Sequence, residues 1–257
     1  MIWNRLSQRF EAKSAAVLMT LQTRLDRFLI GWLLVAGLAS LARIAAGPPL
    51  HGAVFTSVLP YLLLVFAPVA SLLLARRWFA DGDRQPQPEF RLARVGRWRE
   101  VGRAQAMRHP LYGTRGIMVS LLVGILLNIP VRAMEFLGAI PAISGPVPAW
   151  LFVLHAAMSF DAVLLSSLYA ITFVAALKRV PLFPRLLVAV WGVDIVMQLV
   201  AAQLIGGTPG LPAAVAAPLQ ELLQGNVTKV LISVGVWLPY LLLSRRLNVT
   251  YRHRIAD

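Results

Sequence analysis

The sequence predicts an all-α, polytopic membrane bundle of six transmembrane helices, and three observations lead there. Of 257 residues, 58% are hydrophobic and only 14% charged, with a mean hydropathy of +0.69, a balance foreign to water-soluble domains. Six apolar runs approach the roughly 20 residues that a helix needs to cross about 30 Å of hydrocarbon. Charge is lopsided, with 25 Lys and Arg against 11 Asp and Glu, and 22 of the cations lie between the apolar runs. Polytopic membrane proteins distribute their basic residues in this way.

Residues 1–27 come first, as a basic amphipathic leader. Ile2, Leu6, Phe10, Val17, Leu21 and Leu25 recur at spacings near four and seven, with Arg5, Arg9, Lys13 and Arg24 between them. That pattern fits a helix lying on a membrane surface better than the short apolar core of a cleaved signal peptide. Two spans follow within 28–75, at Phe28–Ala46 and Phe55–Ala75. The loop 76–115 carries ten arginines. In it Leu92, Val95, Trp98 and Val101 are spaced by three among Arg91, Arg94, Arg99 and Arg103, which predicts a second interfacial helix. The remaining spans occupy 116–244, at Gly116–Ile140, Ala149–Leu177, Leu186–Ile205 and Asn226–Leu243, and a basic tail covers 245–257. Leu211–Leu223, with Pro212 and Pro218, is expected on the outer surface, with a re-entrant dip as the alternative.

Every second connection is basic, and those between are rich in Gly, Pro and Ala. Because cytoplasmic loops are enriched in Lys and Arg, the sequence predicts six spans with both termini in the cytoplasm of a bacterial inner membrane. The basic segments suit anionic lipid head groups on that side, although topology alone also requires them. Nucleic acid is a poor partner, because the arginines are spread over every cytoplasmic segment and form no single basic domain.

Catalytic chemistry finds little support. There is no cysteine, and no nucleophile elbow, paired zinc histidines, Walker loop or dinucleotide glycine fingerprint. The four histidines, at 51, 109, 155 and 253, are far apart. No cofactor or metal is expected.

Ionisable groups at bilayer depth cost about 2.5 to 3.5 kcal/mol or more unless paired or hydrated, so each asks for a partner. The candidates are Arg132 and Glu135 on helix three, His155 and Asp161 on helix four, Asp194 and Gln198 on helix five, and Lys229 on helix six, with Asn128 nearby. Counting residues places Asp161 near the midplane, Asp194 in the cytoplasmic half, and Arg132 and Lys229 in the outer half. One reading is a polar cavity, with Asp161 paired to Lys229 or Arg132. The other is a set of pairs that merely hold helices together. His155 reads equally well as a satisfied core histidine.

The carboxyl end carries Trp237-Leu238-Pro239-Tyr240, then Ser244-Arg245-Arg246-Leu247 and Thr250-Tyr251. Upstream, Tyr169–Phe173 precedes Lys178-Arg179-Val180-Pro181 and Pro184-Arg185. From about Tyr169 onward the chain resembles the bacterial inner-membrane domain-of-unknown-function family 2569, with Gly31-Trp32-Leu33-Leu34 similar to its opening helix. Tyr251 stands where that family usually has Phe and Leu247 where it usually has Val, and the arginine-rich loop with helix three looks like an addition to its shorter plan. The resemblance implies a multi-span inner-membrane protein and carries no activity, substrate or catalytic residue. Trp98, Arg99, Arg103, Trp237, Tyr240, Arg245 and Arg246 are expected as interfacial anchors.

The sequence alone favours a non-enzymatic accessory or scaffold subunit that contacts lipid and either a membrane-protein partner or further copies of itself. A small transporter or lipid-handling protein built on the intramembrane polar residues is the alternative.

Overall fold

In lipid, a backbone must satisfy its own polar groups, and helices do so within one segment. The computed structural model is accordingly a helix bundle, described here for residues 2–49, 54–90, 92 and 96–257, with side chains from residue 11 onward. Its helices are α1 (Ile2–Thr23), α2 (Leu25–Ala45), α3 (Val54–Trp78), α4 (Arg103–Arg108), α5 (Ile117–Ala139), α6 (Ala149–Leu177), α7 (Phe183–Gly206), α8 (Ala213–Leu243) and α9 (Arg245–Arg252). Two short strands, β1 (Trp98–Glu100) and β2 (Arg254–Ala256), pair antiparallel. Among the described residues six helices, α2, α3 and α5 to α8, are long and apolar enough to cross a membrane.

Helix α6 forms the centre of the bundle, packed against α3, α5 and α7, while α8 packs on α7 and α2 on α3 and α5. Its buried face includes the small residues Ala162, Ala170, Ala175 and Ala176, which let neighbouring backbones approach closely, as in many intramembrane interfaces. Pro68 deprives α3 of one backbone donor. In the same turn the Trp32 indole of α2 donates to the Val65 carbonyl at 2.9 Å.

The bundle has two chemically different ends. At the end with few charges, Arg43 of α2 donates to the Ile140 carbonyl just beyond α5, at 2.9 and 3.2 Å. At the opposite, arginine-rich end, Asp26 pairs with Arg76 at 2.7 Å, and the loop after α3 and the carboxyl-terminal segment close over the helix ends. Ser244 caps α9 by accepting from the Leu247 amide. The Tyr251 hydroxyl donates to the Ala176 carbonyl at 2.7 Å, and Arg252 donates to the Leu241 carbonyl at 2.8 Å. His253, at φ 49°, turns the chain from α9 into β2. The Ser-Arg-Arg-Leu and Thr-Tyr positions of the carboxyl-terminal signature thus form a latch: Arg246 donates to the carbonyls of Leu111 and Gly113, and Thr250 Oγ1 accepts from the Gly113 amide.

Three expectations require correction. Residues 98–100 form a strand, so the predicted second interfacial helix does not run through Trp98 and Arg99. Gly96, at φ +93°, breaks the helical geometry that the three-residue spacing suggests, and β2 supplies a partner for the extended chain. Arg103 instead opens the short α4, and Arg91, Arg94 and Val95 lie outside the described residues. The helix of the last span starts well before Asn226: α8 begins at Ala213 and continues unbroken through Pro218 to Leu243, so 213–223 is helix continuous with that span and makes no re-entrant dip. Pro218, the sixth residue of α8, lies inside the helix and removes the donor that would face the Ala214 carbonyl. The leader is helical as expected, but α1 ends at Thr23 and α2 starts at Leu25. Leu21 and Leu25 are buried, whereas Val17 is exposed.

A buried arginine and carboxylate cluster

Helices α5, α6 and α7 bring Arg132, Asp161 and Asp194 to one point in the interior, despite the different depths expected from residue counting. Arg132 Nη1 lies 2.6 Å from Asp161 Oδ2, and Nη2 lies 2.8 and 2.9 Å from the two oxygens of Asp194. Asp161 is 2% and Asp194 0% exposed. The Tyr169 hydroxyl donates to Asp194 Oδ2 at 2.8 Å. Gln198 Nε2 donates to Asp161 Oδ1 at 2.9 Å and reaches Asp194 Oδ1 at 3.5 Å. From α8, Asn226 Nδ2 donates to Gln198 Oε1 at 3.3 Å, and Lys229 Nζ donates to Asn226 Oδ1 at 3.2 Å.

Helical spacing explains the assembly. Asp161, Leu165 and Tyr169 recur every four residues along α6, as Asp194 and Gln198 do on α7, so each set faces one neighbour. The two carboxylates are held unequally. Asp194 takes Arg132 Nη2 on both its oxygens and the Tyr169 hydroxyl as well, whereas Asp161 takes Nη1 on one oxygen and the Gln198 amide on the other. Counted at full ionisation, one guanidinium faces two carboxylates, which leaves a single negative charge in a buried site.

The remaining sequence candidates separate from this centre. Lys229 pairs with Glu135 instead of Asp161, and its side chain is 58% exposed, because the outward face of α8 carries it past the cluster. Asn128 donates to the Gly124 carbonyl of its own helix. With Arg132, Glu135, Tyr169, Asn226 and Lys229 it borders a space of about 30 Å³. His155 does not join the cluster. Its ring meets Phe136 and Tyr61 edge-on, between one and two turns of α6 before Asp161. Tyr169 and Asn226 were legible as members only through their spacing, eight residues after Asp161 and three before Lys229.

Beside the cluster, α7 and α8 part to leave a cleft of about 680 Å³ that reaches Gln198. The other expected anchors lie at the arginine-rich end. Trp237 and Tyr240 are half-buried with rings 6.1 Å apart, Trp98 is half-buried, and Arg99 and Arg245 are exposed. Arg103 pairs with Asp83 at 3.1 Å, and Tyr112 donates to the same carboxylate. Burial opposes ionisation of Asp83, but the Tyr112 hydroxyl and Arg103 outweigh it and hold the carboxyl below its ordinary range. Burial and then the Asp83 carboxylate push the Tyr112 phenol up to about 12.

Fold and site together define a polytopic all-α membrane protein with a charged centre. No family model, curated protein or solved structure matches the chain, so the resemblance noted above rests on its own residues.

Proposed function

We propose that the chain is a non-enzymatic carrier of the bacterial inner membrane, with both termini cytoplasmic, whose buried cluster takes up and releases one proton or one small monovalent cation. The observation that supports this is the charge excess at Arg132, Asp161 and Asp194. A purely structural clamp needs one cation and one carboxylate, because every further unbalanced charge in low dielectric is costly. The second carboxylate therefore calls for a positive charge from outside the chain. Asp161, with fewer donors than Asp194, is the group to receive it. The space of about 30 Å³ beside Arg132 and Tyr169 holds a body the size of a water molecule and excludes a head group. Purified protein in liposomes should dissipate an imposed proton or sodium gradient, and Asp161→Asn should abolish that flux. An unchanged flux in Asp161→Asn, or none above empty liposomes in the parent protein, sinks the reading.

The accessory-subunit reading keeps one observation in its favour. Helix α2 leaves Leu34, Val35, Leu38 and Leu41 more than 60% exposed on the bundle surface, a face that suits a neighbouring helix as well as lipid. Crosslinking from native membranes would recover a defined partner, or a second copy, through α2 if that face is an interface.

A further inference from the structure

The cleft between α7 and α8 differs from the cluster in size and in chemistry. Its volume of about 680 Å³ lies within the range of small-molecule sites, and none of its lining residues is charged. On the α8 wall, Gln220, Gln224 and Thr228 recur every four residues and so form one polar ladder. On α7, Ala202 and Gly206 are also four apart and leave the opposite wall without bulk. Leu199 and Leu223 supply apolar surface. At the inner end is Gln198, 1% exposed, whose amide donates to Asp161 while its carbonyl accepts from Asn226.

We propose that this cleft binds an uncharged amphiphile, with hydroxyl or amide groups on the Gln220, Gln224 and Thr228 ladder and its chain along the apolar wall. This gives the carrier a second ligand beside the proton or cation held at the cluster, and rests on that reading only for its coupling to the cluster. The lining selects against charge. An anionic or cationic head group in the cleft would lose hydration without meeting an opposite charge, whereas amides pair with hydroxyls and amides in either direction. Coupling follows from geometry, because a ligand that draws on Gln198 competes with Asp161 for the same amide.

The test uses the full chain in lipid nanodiscs with two photoreactive probes, a diazirine-bearing diacylglycerol and a diazirine-bearing phosphatidylglycerol of the same chain length. Adducts are mapped by peptide mass spectrometry. Diacylglycerol adducts at 199–206 and 220–228 should exceed those of phosphatidylglycerol by about tenfold, the weight of one well-made polar contact set. Gln220→Leu with Gln224→Leu should remove that excess, and Ala202→Trp, which fills the cleft from the other wall, should lower labelling by both probes there. Equal labelling by the two probes, or diacylglycerol adducts spread evenly over the apolar surface, overturns the proposal. Asp161→Asn separates it from the carrier reading. Flux lost with labelling retained supports both proposals, and flux retained in that variant with the labelling excess intact overturns the carrier alone. Flux without any labelling excess overturns the cleft ligand alone.

Discussion

Arg132 grips Asp194 through both carboxylate oxygens, at 2.8 and 2.9 Å, and Asp161 through one, at 2.6 Å. Both Asp194 contacts come from one nitrogen, Nη2, while Nη1 holds Asp161, so the guanidinium spreads its two terminal amines over two carboxylates and ties α5 to α6 and α7 at once. The asymmetry predicts unequal consequences. Arg132→Met strands two carboxylates in the interior and should cost at least about 3 kcal/mol of stability. Asp161→Asn removes the excess charge and keeps an oxygen facing Arg132 Nη1, but it sets its amide against the Gln198 amide, so it should lower the melting temperature in detergent by clearly less than Arg132→Met does. A Tm for Asp161→Asn that falls as far as that for Arg132→Met would show that the two carboxylates are equivalent.

Tyr251 joins α9 to α6 through its hydroxyl, which donates to the Ala176 carbonyl. That carbonyl also accepts from the Arg179 amide at 3.1 Å, so removing the hydroxyl leaves it partnered. Tyr251→Phe should therefore cost only about 1 kcal/mol. Tyr251→Ala, which empties a fully buried site against Phe183, should cost about 3 to 5 kcal/mol. Thermal unfolding of the two variants checks the ratio, and equal losses would assign the stabilisation to the hydroxyl alone.

The spans were legible in the sequence because hydropathy over 20 residues reads the solvent directly, and the arginine alternation agrees with the two ends of the bundle. What escaped were features set by tertiary contact. Depth counting separated Asp161 from Asp194, because helix offset and tilt, not residue number, set where two side chains meet. Lys229 found Glu135 because the rotation of α8 about its own axis is fixed by packing. Trp98 went into a strand because its partner, Ala256, is 158 positions away, beyond any local period. The carboxyl-terminal signature was visible, but its role as a latch on Gly113 and Ala176 was not, since both targets are backbone groups that no side-chain pattern announces.

Gly82 is the point where the loop after α3 crosses the end of α6. Its φ is +55°, and a Cβ there would lie 2.6 Å from the Lys178 carbonyl oxygen. Only glycine meets both conditions. Gly82→Ala should therefore lose more than about 1 kcal/mol, the size of an incompatible left-handed substitution, and should loosen the loop without unfolding the bundle. Limited proteolysis checks this, with faster cleavage within 79–102 and unchanged protection of the spans. Parent-like cleavage would mean that the loop sheds the contact at no cost.

Asp83, Tyr112 and Arg103 make the arginine-rich end sensitive to pH at both extremes. The Asp83 carboxyl is held below its ordinary range in the fold. Its contribution is therefore complete above the unfolded value of about 3.9 and is lost as pH falls through the lower folded value. Tyr112 is raised from 10.0 to about 12, so its contribution is complete below pH 10 and drains away as pH rises towards 12. Hydrogen exchange across 82–112 should show protection that is flat between about pH 5 and 9 and weakens on either side. Asp83→Asn should abolish the acid limb and, with the charge beside Tyr112 gone, bring the phenol closer to its ordinary value. An acid limb of full size in Asp83→Asn would place the sensitivity elsewhere.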